Sequence, residues 1–126
     1  MVDSGKYFEI SEGNGRERVY LSCQYMGKDI IVRIYNERAH IGAVAVAEYD
    51  HTTKRASTSL ISLLGHKDDS VAMQAAHDIC KHTERPACVI AGIHLDDITG
   101  SEIRQIVSNC SAAVDKLINN ITGEGK

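Results

Sequence analysis

The first half of the chain has the short apolar patterns of β-strands, and one of them has the period of two that is typical of a half-buried strand. In residues 19–26 every second side chain is apolar or aromatic, and residues 30–35 form a β-branched run. The short connection that contains Gly27 predicts a hairpin between these two segments. Further strands are expected in three segments: an edge strand at residues 7–10 and a second hairpin formed by residues 41–49 and 56–64.

The apolar spacing changes to three and four residues after Asp68, which predicts a helix from about residue 69 to residue 83. Pro86 then ends the helical pattern. It is followed by a nearly continuous apolar run at residues 87–94. Such a run is typical of a strand that is buried on both faces, so we expect it at the centre of the sheet.

The last predicted element is a long amphipathic helix with clear signals at both ends. Thr99 and Glu102 have the spacing of a capping box, apolar side chains then recur along one stripe, and Gly123 closes the helix. The elements follow the order strands, helix, strand and helix. This order predicts a single α+β domain over residues 1–126, with two layers: a mainly antiparallel β-sheet and two helices that cover it.

The composition narrows the choice of function classes. Of the 126 residues 43% are hydrophobic and 25% are charged, and the net charge of -3 gives no reason to expect a nucleic-acid partner. No apolar run approaches the ~20 residues of a membrane span, and the first residues lack the apolar segment of a signal peptide. We therefore expect a cytoplasmic protein without a membrane partner. The four cysteines lie singly within apolar patterns, so we expect buried side chains rather than disulfides or thiolates.

Three short stretches combine a histidine with a glycine at the edge of an apolar run: residues 40–42, 65–69 and 92–97. Histidine binds a metal or transfers a proton near neutral pH, and glycine lets a ligand approach the backbone. His40 precedes a predicted strand and His94 ends one, so an antiparallel arrangement places both at the same end of the sheet. We expect the fold to bring the three stretches together into one site.

The second stretch precedes the first predicted helix, where free backbone N–H groups and the positive end of the helix dipole attract an anion. Gly65 and His66 stand at this entrance, and Lys67 adds a positive charge suited to a phosphate. Asp68 and Asp69 repel an anion unless they cap the helix or a cation lies between. We therefore expect an anionic ligand here, with a divalent metal ion as an optional bridge.

Each candidate also has a structural interpretation. Asp68, Asp69 and Thr99 are residue types that cap helices in any protein, and His40 and His94 are types that form hydrogen bonds at strand ends. No spacing matches a standard zinc, P-loop or Rossmann motif, and no serine has the context of an activated nucleophile. The residues alone therefore indicate a binding protein more than an enzyme. The candidate metal ligands are three imidazoles: His40, His66 and His94.

The three motifs together resemble a known family. His-Ile-Gly at residues 40–42, Gly-His-Lys-Asp-Asp at 65–69 and Ala-Gly-Ile-His-Leu-Asp-Asp-Ile-Thr at 91–99 are similar to the LpdD-like prenylated-flavin chaperones, a family that includes an accessory protein of gallate decarboxylase. The resemblance covers roughly residues 40–118, and its most specific parts are residues 65–69 and 89–103.

This resemblance implies a non-catalytic protein that binds prenylated flavin mononucleotide (prenylated FMN) and supplies it to UbiD-type decarboxylases. It also implies a homodimer, with a fold similar to that of proteasome assembly chaperones. The cofactor contacts carried over from the family motifs are His40, Gly42, Gly65, His66, Lys67, Asp68, Asp69, His94 and Thr99. Of these, His66 and Lys67 are expected near the phosphate, and His40 and His94 near the polar edge of the flavin or on a metal. Two alternatives stay open: a protein-assembly chaperone without a cofactor, and a small metal-dependent enzyme that uses the histidine cluster.

Overall fold

The computed structural model describes residues 7–63 and 66–123. Within these residues six strands form one sheet and two long helices pack on it, which confirms the predicted α+β class. The strands are β1 (Tyr7–Glu12), β2 (Val19–Met26), β3 (Asp29–Tyr35), β4 (Ala43–Asp50), β5 (Arg55–Ser62) and β6 (Ala87–Gly92). The helices are α1 (His66–Thr83) and α2 (Gly100–Thr122), and a short 3₁₀ turn spans Gly15–Glu17. No helix in the described part of the chain combines the length and the apolar character that crossing a bilayer requires.

The sheet has the strand order β1-β2-β3-β6-β4-β5, and the β3–β6 pair is parallel whereas the other described pairs are antiparallel. Both predicted hairpins, β2–β3 and β4–β5, are present. The predicted central position of β6 is also confirmed: Val89 lies opposite Val32 of β3 and Ala45 of β4. The apolar sequence of β6 fits this place, because a central strand presents no open edge to water.

The two helices cover the same face of the sheet. Helix α1 packs on β4, β5 and β6, and α2 packs on β1 and β2. Alternate strand positions point into this layer, where Leu21, Val32 and Val89 are fully buried in one cluster with Ile79 of α1 and Leu117 of α2. Burial of each large aliphatic side chain contributes about 1.5–3 kcal/mol, so this layer is the main source of stability.

Several element boundaries differ from the prediction by two or three residues. Helix α1 begins at residue 66 rather than near 69, and β4 begins at 43 rather than 41. Strand β1 ends at 12 rather than 10, β5 ends at 62 rather than 64, and β6 ends at 92 rather than 94. Strand β6 ends early because the next two backbone N–H groups donate to side chains instead of a neighbouring strand. The N–H of Ile93 donates to Asp68, and that of His94 donates to Asn36. Such distant acceptors leave no signal in the local sequence.

The opposite face of the sheet carries no helix in the part of the chain that the structure describes. We call it the uncovered face and define it by five apolar side chains: Ile31, Val44, Val46, Ile61 and Ile90. In the register of the sheet, Val44 lies between Ile90 and Ile61. Val46 is 50% exposed and Ile61 is 66% exposed. The expectation that β6 is buried on both faces is therefore wrong for a single chain, since the helices cover one face and leave Ile90 only half-buried.

The cysteines are free thiols rather than disulfides, as the sequence predicts. Cys23, Cys80 and Cys110 are buried, and Cys88 is half-buried. Burial raises the pKa of Cys23 to about 11 and that of Cys110 to about 12. These thiols therefore stay neutral near physiological pH, where only a thiolate is a strong nucleophile or metal ligand.

The strand directions bring three connections to one end of the sheet. Segments 13–18, 36–42 and 93–99 all lie where β3 and β6 end and where β2 and β4 begin. Both long helices also start at this end. We call it the loop end; it contains the described residues of all three histidine motifs.

Candidate functional site

His40 and His94 lie side by side at the loop end. Their ring centroids are 5.8 Å apart and their ring planes are tilted by 50°. The backbone of His94 is held by Asn36, whose amide donates to the His94 carbonyl oxygen at 2.8 Å and accepts from the His94 N–H at 3.2 Å. The His94 Nε2 atom lies 3.0 Å from Asp96 Oδ1, a contact that orients the ring. The fold thus presents two imidazoles on one rim.

Two motif glycines allow close packing at the loop end. A Cβ atom on Gly92 would overlap the carbonyl oxygen of His40, and a Cβ atom on Gly42 would overlap the carboxylate of Asp68. The backbone N–H of Gly42 also donates to β6 at 2.9 Å. The three motifs therefore meet, and these glycines leave room for neighbouring protein atoms.

Asp68 lies in the first turn of α1 and is 1% exposed. Its Oδ1 atom accepts a hydrogen bond from the backbone N–H of Ile93 at 3.2 Å. This bond ties the start of α1 to the segment that follows β6. The geometry therefore favours the structural interpretation of Asp68, whereas the next residue, Asp69, is half-buried in the same turn.

We expect Asp68→Ala to lower the free energy of unfolding by about 2 kcal/mol, because the buried N–H of Ile93 then loses its acceptor. Asp68→Asn keeps an acceptor oxygen and is expected to lose less than half as much. Urea denaturation of both variants and the wild type measures the difference. Equal losses in the two variants would contradict the role assigned to this hydrogen bond.

Thr99 caps α2 as its sequence context predicts. Thr99 Oγ1 accepts from the Glu102 N–H at 3.1 Å, and Glu102 Oε1 accepts from the Thr99 N–H at 3.0 Å, which confirms the capping box. Glu102 Oε2 also accepts from Arg16 Nε at 2.7 Å. Hydrogen bonds from Arg16 and from the Thr99 backbone lower the pKa of Glu102 to about 2, so this carboxylate keeps its charge in mildly acidic solution.

Part of the predicted site lies outside the described residues. Gly65 is not among them, and the side chains of His66 and Lys67 also lie outside, although both backbones belong to the first turn of α1. Among the side chains that the structure describes, no three histidine, cysteine or carboxylate groups converge as metal ligands do. Of the three expected imidazoles, the structure describes those of His40 and His94, and these two lie together.

A charged cleft next to His94 involves residues that the sequence motifs do not single out. Arg16, Arg18 and Arg38 line this cleft of about 390 Å³, which we call the arginine cleft. Arg38 Nη1 donates to Asp96 Oδ2 at 2.7 Å, and Arg16 Nη2 donates to the Asp96 carbonyl oxygen at 2.8 Å. The hydrogen bond with His94 and the charge of Arg38 lower the pKa of Asp96. In the sequence, Arg16 and Arg18 follow a glycine-rich turn and Arg38 precedes the first histidine motif. Nothing in the local sequence shows that these two segments meet.

A pair of stacked aromatic rings lies beside the arginine cleft. Tyr20 and Tyr35 are opposite each other on β2 and β3, with ring centroids 5.6 Å apart and ring planes at 29°. The guanidinium of Arg18 lies 5.9 Å from the Tyr20 ring centroid, and that of Arg33 lies 5.3 Å from the Tyr35 centroid. Positive charge over an aromatic face is favourable, so these contacts hold the four side chains in one cluster.

A shallow depression continues from the aromatic pair toward the uncovered face. It has a volume of about 240 Å³, and its lining includes Tyr35, Ala39, His40, Ile41 and Ile90. Ligand sites commonly combine apolar walls with a few polar groups that fix orientation. The loop end therefore offers an apolar floor, an imidazole pair and an arginine cleft next to one another.

Comparisons with known proteins agree with this architecture. A family model described as the prenylated flavin chaperone LpdD-like domain matches residues 13–122. No curated protein matches the chain. Among solved structures, the chain is similar to one from the crystal structure of a chaperone complex for yeast 20S proteasome assembly, with 16% sequence identity and a TM-score of 0.59. The similarity covers 94% of this chain and 97% of that one, and at such low identity it shows the fold alone.

Proposed function

The chain belongs to the family of LpdD-like prenylated flavin chaperone domains, and we propose that it binds prenylated FMN and supplies this cofactor to a UbiD-type decarboxylase. The observation that carries the proposal is the extent of the family match: residues 13–122 include the histidine pair and the whole arginine cleft. In this role the domain is an accessory protein that holds the cofactor without catalysing a reaction.

The shape of the loop end supports a flavin ligand. A prenylated flavin has an apolar part, extended by the prenyl-derived ring, and a polar edge of ring nitrogens and carbonyl groups. The depression offers Ile41 and Ile90 to the apolar part. His40 and His94 offer ring nitrogens that donate to or accept from the polar edge.

The other motif residues fall into two groups. Three of them have described contacts to protein atoms and therefore position the loops: Gly42, Asp68 and Thr99. The other four belong to the segment at the start of α1, and we propose that they contact the bound cofactor at the edge of its site: Gly65, His66, Lys67 and Asp69.

We also propose that the domain is a homodimer that pairs through the uncovered face. Six strands about 4.8 Å apart and roughly 20 Å long present a face of roughly 600 Å², which approaches the ~800 Å² per partner of a standard interface. In a two-fold symmetric dimer, the apolar side chains of the uncovered face of one copy pack against the same side chains of the other copy. Arg33 and Glu48 face the same side, so unlike charges are available around the apolar centre.

Anaerobic titration with reduced prenylated FMN tests the proposed function. We expect saturable binding without conversion of the flavin, followed by transfer to an apo decarboxylase of the UbiD type, which then becomes active. Absence of binding would favour an assembly chaperone without a cofactor. Conversion of the flavin that depends on an added divalent metal would favour the enzyme alternative.

His94→Ala is expected to raise the dissociation constant for prenylated FMN about tenfold, the cost of one lost hydrogen bond in a ligand site. The melting temperature should change little, because Asn36 still holds the backbone at this position. His82→Ala is the matched control, since His82 is exposed in the last turn of α1, at the far end of that helix. Equal affinity of the His94 variant and the wild type would remove this imidazole from the site.

A further inference from the structure

We propose that the phosphate group of the flavin nucleotide binds in the arginine cleft rather than at the N-terminus of α1. This inference rests on the proposed flavin-binding function and adds to it the subsite that recognises the phosphate. The sequence places the phosphate at residues 65–69, where a helix begins. The described contacts at the loop end point to Arg16, Arg18 and Arg38 instead.

Two of the three arginines are held in place by carboxylates. Arg16 donates to Glu102 at 2.7 Å, and Arg38 donates to Asp96 at 2.7 Å. A guanidinium has five N–H donors, so each retains donors beyond those that these contacts use. Since these contacts already favour one orientation of each guanidinium, less conformational entropy is lost when they bind an anion.

The charge of Arg18, unlike the charges of Arg16 and Arg38, is not paired with a carboxylate among the described residues. The Arg18 guanidinium lies 5.9 Å from the centroid of the Tyr20 ring. A phosphate in the cleft would therefore give Arg18 an anionic partner without displacing an existing one, and planar guanidinium groups bind phosphate strongly.

The turn that carries Arg16 and Arg18 is anchored from below. Asn109 of α2 is 7% exposed, and its Nδ2 donates to the carbonyl oxygen of Glu17 at 2.9 Å. This buried amide fixes the turn against α2. The position of the two arginine backbones is thus set by the fold rather than by the ligand.

The N-terminus of α1 is less favourable for a phosphate. Asp68 and Asp69 both lie in the first turn, and Asp68 is buried beneath it with its carboxylate bonded to the Ile93 N–H. Carboxylates so near the helix start oppose an anion there, because like charges repel most strongly where water is excluded. The arginine cleft also has carboxylates, Glu37 and Asp96, but its three guanidinium groups outnumber them.

The cleft is continuous with the depression proposed for the ring system. A third concavity lies between the two. It shares Tyr20 and Asn36 with the arginine cleft, and it shares Tyr35 and Ala39 with the depression beside His40. The three concavities are therefore neighbours, as a molecule with a planar ring at one end and a phosphate at the other requires.

Two ligands test the inference: reduced prenylated FMN, and the same flavin after a phosphatase has removed its phosphate. We expect the wild type to bind the phosphorylated form at least tenfold more tightly, and Arg18→Ala to lose this preference while its affinity for the dephosphorylated form stays within about twofold. Arg55→Ala, at the opposite end of the sheet, is the matched control and should behave as the wild type.

The outcomes separate the inference from the proposed function. If Arg18→Ala keeps the preference, or Lys67→Ala abolishes it instead, the phosphate lies elsewhere although the protein still binds flavin. A wild type that binds neither form contradicts the proposed function and the inference with it. Arg18→Ala is expected to lower the melting temperature by no more than a few degrees, because this side chain loses its contact with the Tyr20 ring but no ion pair within the described residues.

Discussion

Gly92→Ala is expected to lower the free energy of unfolding by about 3 kcal/mol, at the upper end of what an overpacked site costs. A Cβ atom at this position would overlap the carbonyl oxygen of His40. This oxygen belongs to the backbone, so it moves only when segment 40–42 moves, and that segment is bonded to β6 and packed on Asp68. Small domains are stable by only about 5–15 kcal/mol, so the variant should unfold at a clearly lower temperature.

Gly100→Ala is the matched control for this substitution. The nearest heavy atom to a Cβ on Gly100 is Arg104 Nη1 at 3.5 Å, an ordinary contact with the end of a flexible side chain. Alanine is also a better helix former than glycine, so stability should stay equal or rise slightly. Calorimetry of both variants measures the difference. Similar losses in the two variants would show that the contact with His40 is not the cause.

Local patterns predicted the elements of this fold because the forces that form them act over a few residues. The alternation in residues 19–26 reflects one buried face of β2, and Thr99 and Glu102 cap α2 within one turn. The apolar run of β6 was sufficient to place it at the centre of the sheet. The parallel pairing of β3 with β6 left no such signal, because it depends on how α1 returns the chain to the sheet.

The candidate site could be predicted only in part, since its contacts join distant segments. Arg16 and Glu102 are 86 positions apart, and Arg38 and Asp96 are 58 positions apart. Each arginine by itself looks like an ordinary charged surface residue. The arginine cleft exists only because the strand directions bring the 3₁₀ turn, segment 36–42 and the start of α2 to the same end of the sheet.

The motif glycines mark positions of close packing, but the sequence does not show which atoms pack against them. Glycine in the motifs indicates that some atom approaches the backbone closely. At Gly42 and Gly92 the approaching atoms belong to Asp68 and His40, so the room that the glycines leave is occupied by the protein itself. The sequence identified the positions, and the fold was needed to identify their neighbours.

Val46→Glu is expected to convert the protein from a dimer of twice 13.8 kDa to a monomer of 13.8 kDa, as measured by light scattering. Val46 belongs to the uncovered face and is 50% exposed, so a single chain tolerates a glutamate there. Between two sheets packed about 10 Å apart, the same carboxylate would be buried without a partner, which costs several kcal/mol. Met73→Glu is the matched control, because Met73 is an exposed apolar residue of α1 and this variant should remain a dimer.

The thiol of Cys88 provides a second measurement of the same interface. Cys88 lies opposite Val46 in the sheet and is half-buried, whereas the other three cysteines belong to the core. In a dimer the partner covers this thiol, so a maleimide should modify it slowly in the wild type and at least tenfold faster in Val46→Glu. A wild type of 13.8 kDa whose Cys88 reacts as fast as that of the variant would contradict the homodimer. Ile90 belongs both to the depression beside His40 and to the uncovered face, so the proposed cofactor site adjoins the proposed dimer interface. Loss of the dimer should therefore also weaken the binding of prenylated FMN.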